Sequence, residues 1–366
     1  MQIDKLTYRS VRTRAALLPL TRPVVARVGE FREWPVILID LETEEGITGT
    51  SYLEPYLANS VKYIRPAIHD LIDRRKGEVI APATDFYTHR KMLNLIGLQG
   101  VATIAVSGID MAAWDALAKA ANMPLARLLG GNTDPIPAYN SNGLWPTPLD
   151  SLEQEAAELK GEGNFDALKL RIGREYLDDD LSALEAVRKG AGSDIKLMCD
   201  FNQGQTIGEA LARCHALDDS GLYWFEEPIP YDQIPGYAQL ARELKTPVQL
   251  GENFYGPRSL YEAVNAKAGD YMMPDLMRIG GVTGWLHAAS IAGSAGIPIS
   301  SHLYPEFSAH LLAVTETAHW LEWQDWVNPI LREPFRLSDG TLAIPETAGA
   351  GIEWDEVAVK NFEMDM

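Results

Sequence analysis

Residues 195–228, IKLMCDFNQGQTIGEALARCHALDDSGLYWFEEP, carry two short apolar runs, IKLMCDFN and LYWFEEP, on either side of a segment of helical texture. Strand, helix, strand is the unit that joins parallel strands, because parallel neighbours need a long crossover connection. Apolar runs that are continuous rather than alternating suit strands buried on both faces. The pattern repeats outward in both directions: IPAYNS (136–141), ALKLRIG (167–173), PVQLGEN (247–253), DYMMPD (270–275), IPISSH (297–302) and AHWLE (318–322). Eight such runs alternating with helical segments predict an α/β chain built on a closed, TIM-type β/α barrel.

The flanks differ. Residues 1–60 hold β-rich stretches, KLTYRSVRT and WPVILIDLETEEGITGTSYLE, with EEG as a turn. Three helical patterns follow, the last closing on Gly130 and Gly131. Strands followed by helices predict an α+β capping domain over 1–130, the barrel over 131–325, and a Pro- and Gly-punctuated segment, 326–366, that packs back on the cap.

Composition narrows the partners. The 366 residues are 46% hydrophobic and 23% charged, and their apolar runs are expected to be too short to span a bilayer. The start, MQIDKLTYRS, lacks the features of a secretory signal, so a cytoplasmic protein is expected. Cys199 and Cys214 have no metal-finger spacing and fit a reducing compartment. A net charge of −19 disfavours nucleic acid and anionic membranes, leaving a small molecule as the expected partner.

Polar residues interrupt the apolar runs at their C-terminal ends, the rim where barrel enzymes place their chemistry. Asp200, Glu226 and Glu252 recur at intervals of 26 residues, one strand and helix per step. Three neighbouring carboxylates repel one another unless a cation compensates, and an all-oxygen set suits Mg²⁺. Asp275 and His302 end successive runs, so the carboxylate can fix the imidazole's tautomer and raise its basicity. Glu322 completes the ring, and Lys169 and Arg171, two apart on a strand, share a face toward the metal. The set fits removal of a proton from the carbon beside a carboxylate. Mg²⁺, Lys169 and a protonated Glu322 are expected to stabilise the charge that develops.

LKLRIG, MCDFNQG, WFEEP, VQLGEN, MPDLMRIGGVTGW, SSHLYPEFSAHLL and TAHWLE, with PVILIDL and GIDMAAWDAL in the cap, resemble the mandelate racemase and muconate lactonizing branch of the enolase superfamily nearly end to end. The resemblance implies a modified, (β/α)7β-type barrel and a homo-oligomer, dimer to octamer. It also implies Asp200, Glu226 and Glu252 as Mg²⁺ ligands, His302 with Asp275 as a base, Glu322 as hydrogen-bond partner of the intermediate, and Ser141 and Asn202 at the substrate. Two departures bear on substrate. Arg171 stands where a racemase of this branch has a second, basic lysine, and a guanidinium holds rather than accepts protons. The loop RPVVARVGEFREW, which selects substrates in such enzymes, offers Val28, Phe31 and Arg32, joined by Glu54 and Tyr56. Its charges favour hydroxyl-rich acids over a phenyl ring. The expected activity is dehydration of a sugar acid. Racemisation of a 2-hydroxy acid, or a metal-binding barrel serving as an interaction module, are the alternatives.

Overall fold

The structure is a computed structural model and describes residues 5–26 and 29–364. The chain opens with an antiparallel sheet of β1 (Tyr8–Ala26), β2 (Gly29–Thr43) and β3 (Thr48–Leu53), in that order. Helices α1 (Val61–Asp73), α2 (Pro82–Leu93) and α3 (Val101–Ala120) follow. α3 lies directly on the sheet at Gly49, where a Cβ would fall 2.0 Å from the Ala112 carbonyl oxygen, so no larger residue fits.

α3 is also long and apolar enough, by length and composition, to cross a membrane, against the expectation that no run would be. It is a core helix: 72% of the stretch is buried. Its two acids explain its place. Asp110 accepts hydrogen bonds from the Thr283 N–H (2.8 Å) and hydroxyl (2.6 Å), and Asp115 from the N–H groups of Thr50 and Ala350, 2.7 Å each. One helix thus ties cap, barrel and C-terminal segment together.

The selecting stretch RPVVARVGEFREW is not a free loop. β1 and β2 run on as a hairpin that pairs Val24 with Phe31, Val25 with Glu30 and Ala26 with Gly29. Val24 and Val25 on one arm and Phe31 and Trp34 on the other, residues that favour strands, suit this extension.

After α4 (Leu125–Leu128), strands β4 (Ile136–Asn140), β5 (Ala167–Arg171), β6 (Lys196–Asp200), β7 (Trp224–Glu226), β8 (Val248–Leu250) and β9 (Tyr271–Met272) pair in parallel, each with the next. Between and after them come α5 (Leu149–Gly161), α6 (Leu177–Ala191), α7 (Ile207–Leu217), α8 (Ile234–Glu243), α9 (Pro257–Ala266), α10 (Leu276–Ile279), α11 (Gly281–Ala295) and α12 (Pro305–Leu312). β10 (Leu321–Trp323) pairs with β4 and closes the ring. The seventh run, IPISSH, is no continuous strand. Single bridges hold it, Ile299 to Met272 and Ala318, and His302 to Asp275. Pro298, its second residue, has no N–H to give to a ladder.

The C-terminal segment reaches both halves of the molecule. A hairpin of β11 (Leu337–Ser338) and β12 (Thr341–Leu342) adds to the start of β4. The chain then returns to the cap, where the Trp354 indole donates to Asp40 (3.0 Å). Near the end of α13 (Glu356–Phe362), the Met364 N–H donates to the Ala15 carbonyl (2.8 Å).

His310 on α12 clamps this return. Its Nδ1 accepts from the Ala126 N–H (3.1 Å), so the proton sits on Nε2, which faces the Ala350 carbonyl (3.2 Å). Burial holds its pKa down to about 4, and that of His89 likewise. An unfolded histidine titrates near ~6.5. The unfolded chain therefore binds more protons between these values, and these histidines subtract stability as pH falls through that window. Melting temperature measured at pH 7 and pH 5 should fall less in His310→Gln than in the unmodified protein; equal falls would refute the assignment.

Candidate active site

The period of two along each strand builds the site in layers. Tyr139, Ala167, Met198, Trp224 and Trp320 pack together as a core cluster inside the ring. Two residues further along each run stand Ser141, Lys169, Asp200, Glu226 and Glu322, all buried. Lys169 lies 5.8 Å above the Tyr139 ring. The backbone turns sharply just after Asp200, Glu226 and His302: Asn202, Gln203, Glu227, Leu303 and Tyr304 have φ of 37–59°. Left-handed backbone at non-glycine residues is strained, and here it aims the strand ends at one point.

Asp200, Glu226 and Glu252 present ligand oxygens within 4.8 Å of one another. Each is braced. The Asn202 N–H and side-chain amide donate to the two Asp200 oxygens at 2.7 and 3.0 Å, and the Trp224 indole donates to Glu226 (3.0 Å). Asn253 donates to both Glu252 (3.0 Å) and the buried Glu227 (2.9 Å). Burial, helped by the charges of Asp200, Glu322 and Glu252, pushes the Glu226 carboxyl well up despite Lys169 beside it. A hard divalent cation relieves this repulsion, and the all-oxygen donor set fits Mg²⁺.

His302 Nδ1 lies 2.8 Å from Asp275 Oδ2, while Asp275 Oδ1 caps α10 through the Arg278 N–H (2.9 Å). The histidine's Nε2 is left facing the cavity, 3.4 Å from Glu252 Oε2. Burial would lower its pKa, but Glu252, Glu322 and Asp275 outweigh that and lift it to about 9.

Across the mouth, Lys169 Nζ sits 2.6 Å from Glu226, 2.7 Å from Glu322 and 3.5 Å from Asp200. Burial works against its charge, yet the three carboxylates hold it protonated. Glu322 is the counterpart. Burial would raise its pKa, but Lys169, His302 and Arg171 hold it low. Its oxygens accept from Lys169, the Ser141 hydroxyl (2.7 Å) and the Leu303 N–H (2.9 Å). The expected protonated Glu322 is thus corrected to an ionised acceptor, because every group touching it is a donor.

Arg171 is largely engaged by the protein. One terminal nitrogen donates to the carbonyls of Ser141 (2.9 Å) and Gly143 (2.8 Å), the other to the Ser141 hydroxyl (2.7 Å). Its guanidinium carbon lies 3.8 Å from the Trp145 ring centre. Its buried Nε–H has no partner and stands 3.9 Å from Asp200. Of the five donors expected to clamp a substrate carboxylate, three are occupied. The expected role of Ser141 changes too: its hydroxyl already links Arg171 to Glu322.

These groups open into a cavity of about 520 Å³ lined by Phe31, Trp34, Tyr56, Trp145, Gln324 and Trp326 beside the polar set, which includes Asn202. Of the selecting residues named from sequence, Phe31 and Tyr56 line it. Arg32 does not. Strand alternation points Phe31 inward and Glu30 and Arg32 outward, where they pair in solvent. Glu54 lies beneath the wall, 3% exposed, and burial together with Glu306 and Asp275 pushes its carboxyl well above the usual range. Val28 falls outside the described residues. Trp34, Trp145, Trp326 and Gln324 were missed. The signal for Gln324 was present in LEWQDW, two residues past Glu322 and so on the same face.

Residues 8–130 match the family model for the mandelate racemase / muconate lactonizing enzyme N-terminal domain, and residues 151–358 match the enolase C-terminal domain-like model. Among curated relatives, L-talarate/galactarate dehydratase of Salmonella typhimurium is 32% identical over 95% of this chain and 89% of its own. Among solved structures, an enolase from alpha proteobacterium bal199 with bound Mg superposes with a TM-score of 0.97 at 53% identity, covering 98% of this chain and all of the other. An enolase from Bradyrhizobium complexed with magnesium and mandelic acid gives 0.94 at 38% identity, covering 99% of this chain and all of the other.

Proposed function

The chain belongs to the mandelate racemase / muconate lactonizing enzyme family of the enolase superfamily, and on that footing we propose that it is a Mg²⁺-dependent dehydratase of a 2,3-dihydroxy carboxylate of the sugar-acid type. One observation carries the choice of elimination over racemisation. A single base, His302, faces the cavity, while across the mouth stand two permanent cations, Lys169 held by carboxylates and Arg171. Racemisation needs a proton acceptor on each side, and neither cation can serve.

Asp200, Glu226 and Glu252 would hold the Mg²⁺, which supplies Lewis-acid neutralisation of charge on the substrate carboxylate when bound. His302 Nε2 takes the proton from C2, and Asp275 steadies the resulting imidazolium. Lys169 stabilises the enediolate by its charge. The electron pair of the broken C2–H bond then expels the hydroxyl at C3. His302 returns its proton to that oxygen, so water leaves and the enol of a 2-oxo-3-deoxy acid remains. The dehydratase relative supports this reading.

Proton NMR in D₂O with Mg²⁺ and a panel of sugar acids tests it. Accumulation of a 2-oxo acid deuterated at C3, with no inverted substrate recovered, is expected. Recovered substrate deuterated at C2 with inverted configuration, and no loss of water, would replace the proposal with a racemase.

A further inference from the structure

The cavity's chemistry changes away from the carboxylates. Its wall there is aromatic, supplied by the cap hairpin, the loop after β4 and the stretch after β10. Trp34 stands at the centre, 5.2 Å from the Tyr56 ring at 70° and 4.4 Å from the Trp326 ring at 58°. Trp145 closes the side under Arg171, and Val24 and Phe31, paired across the hairpin, add more apolar surface.

Polar partners are few. The Gln324 side-chain amide donates weakly to the Ser141 carbonyl and hydroxyl, 3.3 Å each. Its Oε1 is buried without a partner, a ready acceptor for one substrate hydroxyl. Glu30 and Arg32 turn outward, and Glu54 lies beneath the wall. Among the described residues, the basic side chains lining the cavity are Lys169, Arg171 and His302, all at the metal end. A second carboxylate at the far end would find no cation among them, and a row of hydroxyls would find only the Tyr56 hydroxyl and the Trp34 indole N–H, both buried without partners, among the rings.

We propose that the substrate is a 2,3-dihydroxy monocarboxylate whose chain beyond C3 is an apolar or aromatic group, seated against Trp34, Trp145 and Trp326. The proposal rests on the dehydratase reading, keeps its 2,3-dihydroxy acid head and departs from the sugar-acid type in the chain beyond C3. Gln324 Oε1 receives one of the two hydroxyls, and the tryptophans replace the hydroxyl partners that a longer polyol acid requires.

Steady-state assays of the Mg²⁺-loaded enzyme with 2,3-dihydroxy-3-phenylpropanoate, gluconate and galactarate test it. The phenyl-bearing acid should exceed both others in kcat/KM by about 100-fold, the scale at which an apolar pocket rejects an added hydroxyl. Higher kcat/KM for gluconate or galactarate would overturn the substrate assignment and leave the dehydratase reading intact. If no acid turns over, the dehydratase reading fails, and calorimetry then decides the pocket assignment alone. Tighter binding of 3-phenyllactate than of galactarate to the Mg²⁺-loaded protein would uphold an apolar seat; equal, weaker or absent binding would sink it.

Discussion

Replacing His302 with asparagine is expected to lower turnover by about 10²–10⁴-fold, the usual contribution of a positioned general base. The loss should fall on both steps assigned to it, proton removal at C2 and proton return at C3, because both use the same Nε2 facing the cavity. Mg²⁺ affinity should change little. The imidazole is not one of the three clustered carboxylates, and asparagine removes no ligand. Product formation and C2 proton exchange, followed together in D₂O, check this. Exchange that persists in the variant would mean that another group takes the proton, and the one-base account would be abandoned.

Lys169→Met should damage both catalysis and folding. Among the described residues the ammonium is the one cation within 3 Å of Glu226 and Glu322, at 2.6 and 2.7 Å, and all three are buried. Removing one partner of a buried ion pair leaves an uncompensated charge and costs about 3–5 kcal/mol. Urea unfolding in the presence of a chelator should show a loss of that size. Saturating Mg²⁺ should recover part of it, since a ligand that binds only the folded state stabilises by mass action. Turnover should fall by about 10²–10³-fold, as when a preorganised donor to developing charge is deleted. Unchanged stability of the chelated variant would show that the three carboxylates do not depend on this lysine.

The barrel and its carboxylate triad were legible because both follow from regular repetition. Asp200, Glu226 and Glu252 fall one strand and helix apart, and the unit length places them side by side. Asp275 and His302 were legible for the same reason, although the run carrying His302 is held by isolated bridges rather than a full ladder. What escaped depends on which chemical groups already have partners, and spacing does not reveal that. Arg171 and Glu322 were assigned to the substrate, yet Ser141 joins them to one another. The cap's selecting residues were misjudged because the stretch was taken as a loop. As paired strands, alternation sends Phe31 in and Arg32 out. The three tryptophans come from positions 34, 145 and 326, and only the tertiary fold brings them together.

The 3.8 Å seat of Trp145 against the guanidinium of Arg171 has an evolutionary consequence. A lineage that exchanged this arginine for lysine would gain an amine able to shuttle protons, but would lose the flat support that braces the indole. A point ammonium cannot reproduce that stacking, nor the fork that grips the Ser141 and Gly143 carbonyls. Gaining a second proton acceptor at this position would therefore cost the indole its brace and both carbonyls their donor.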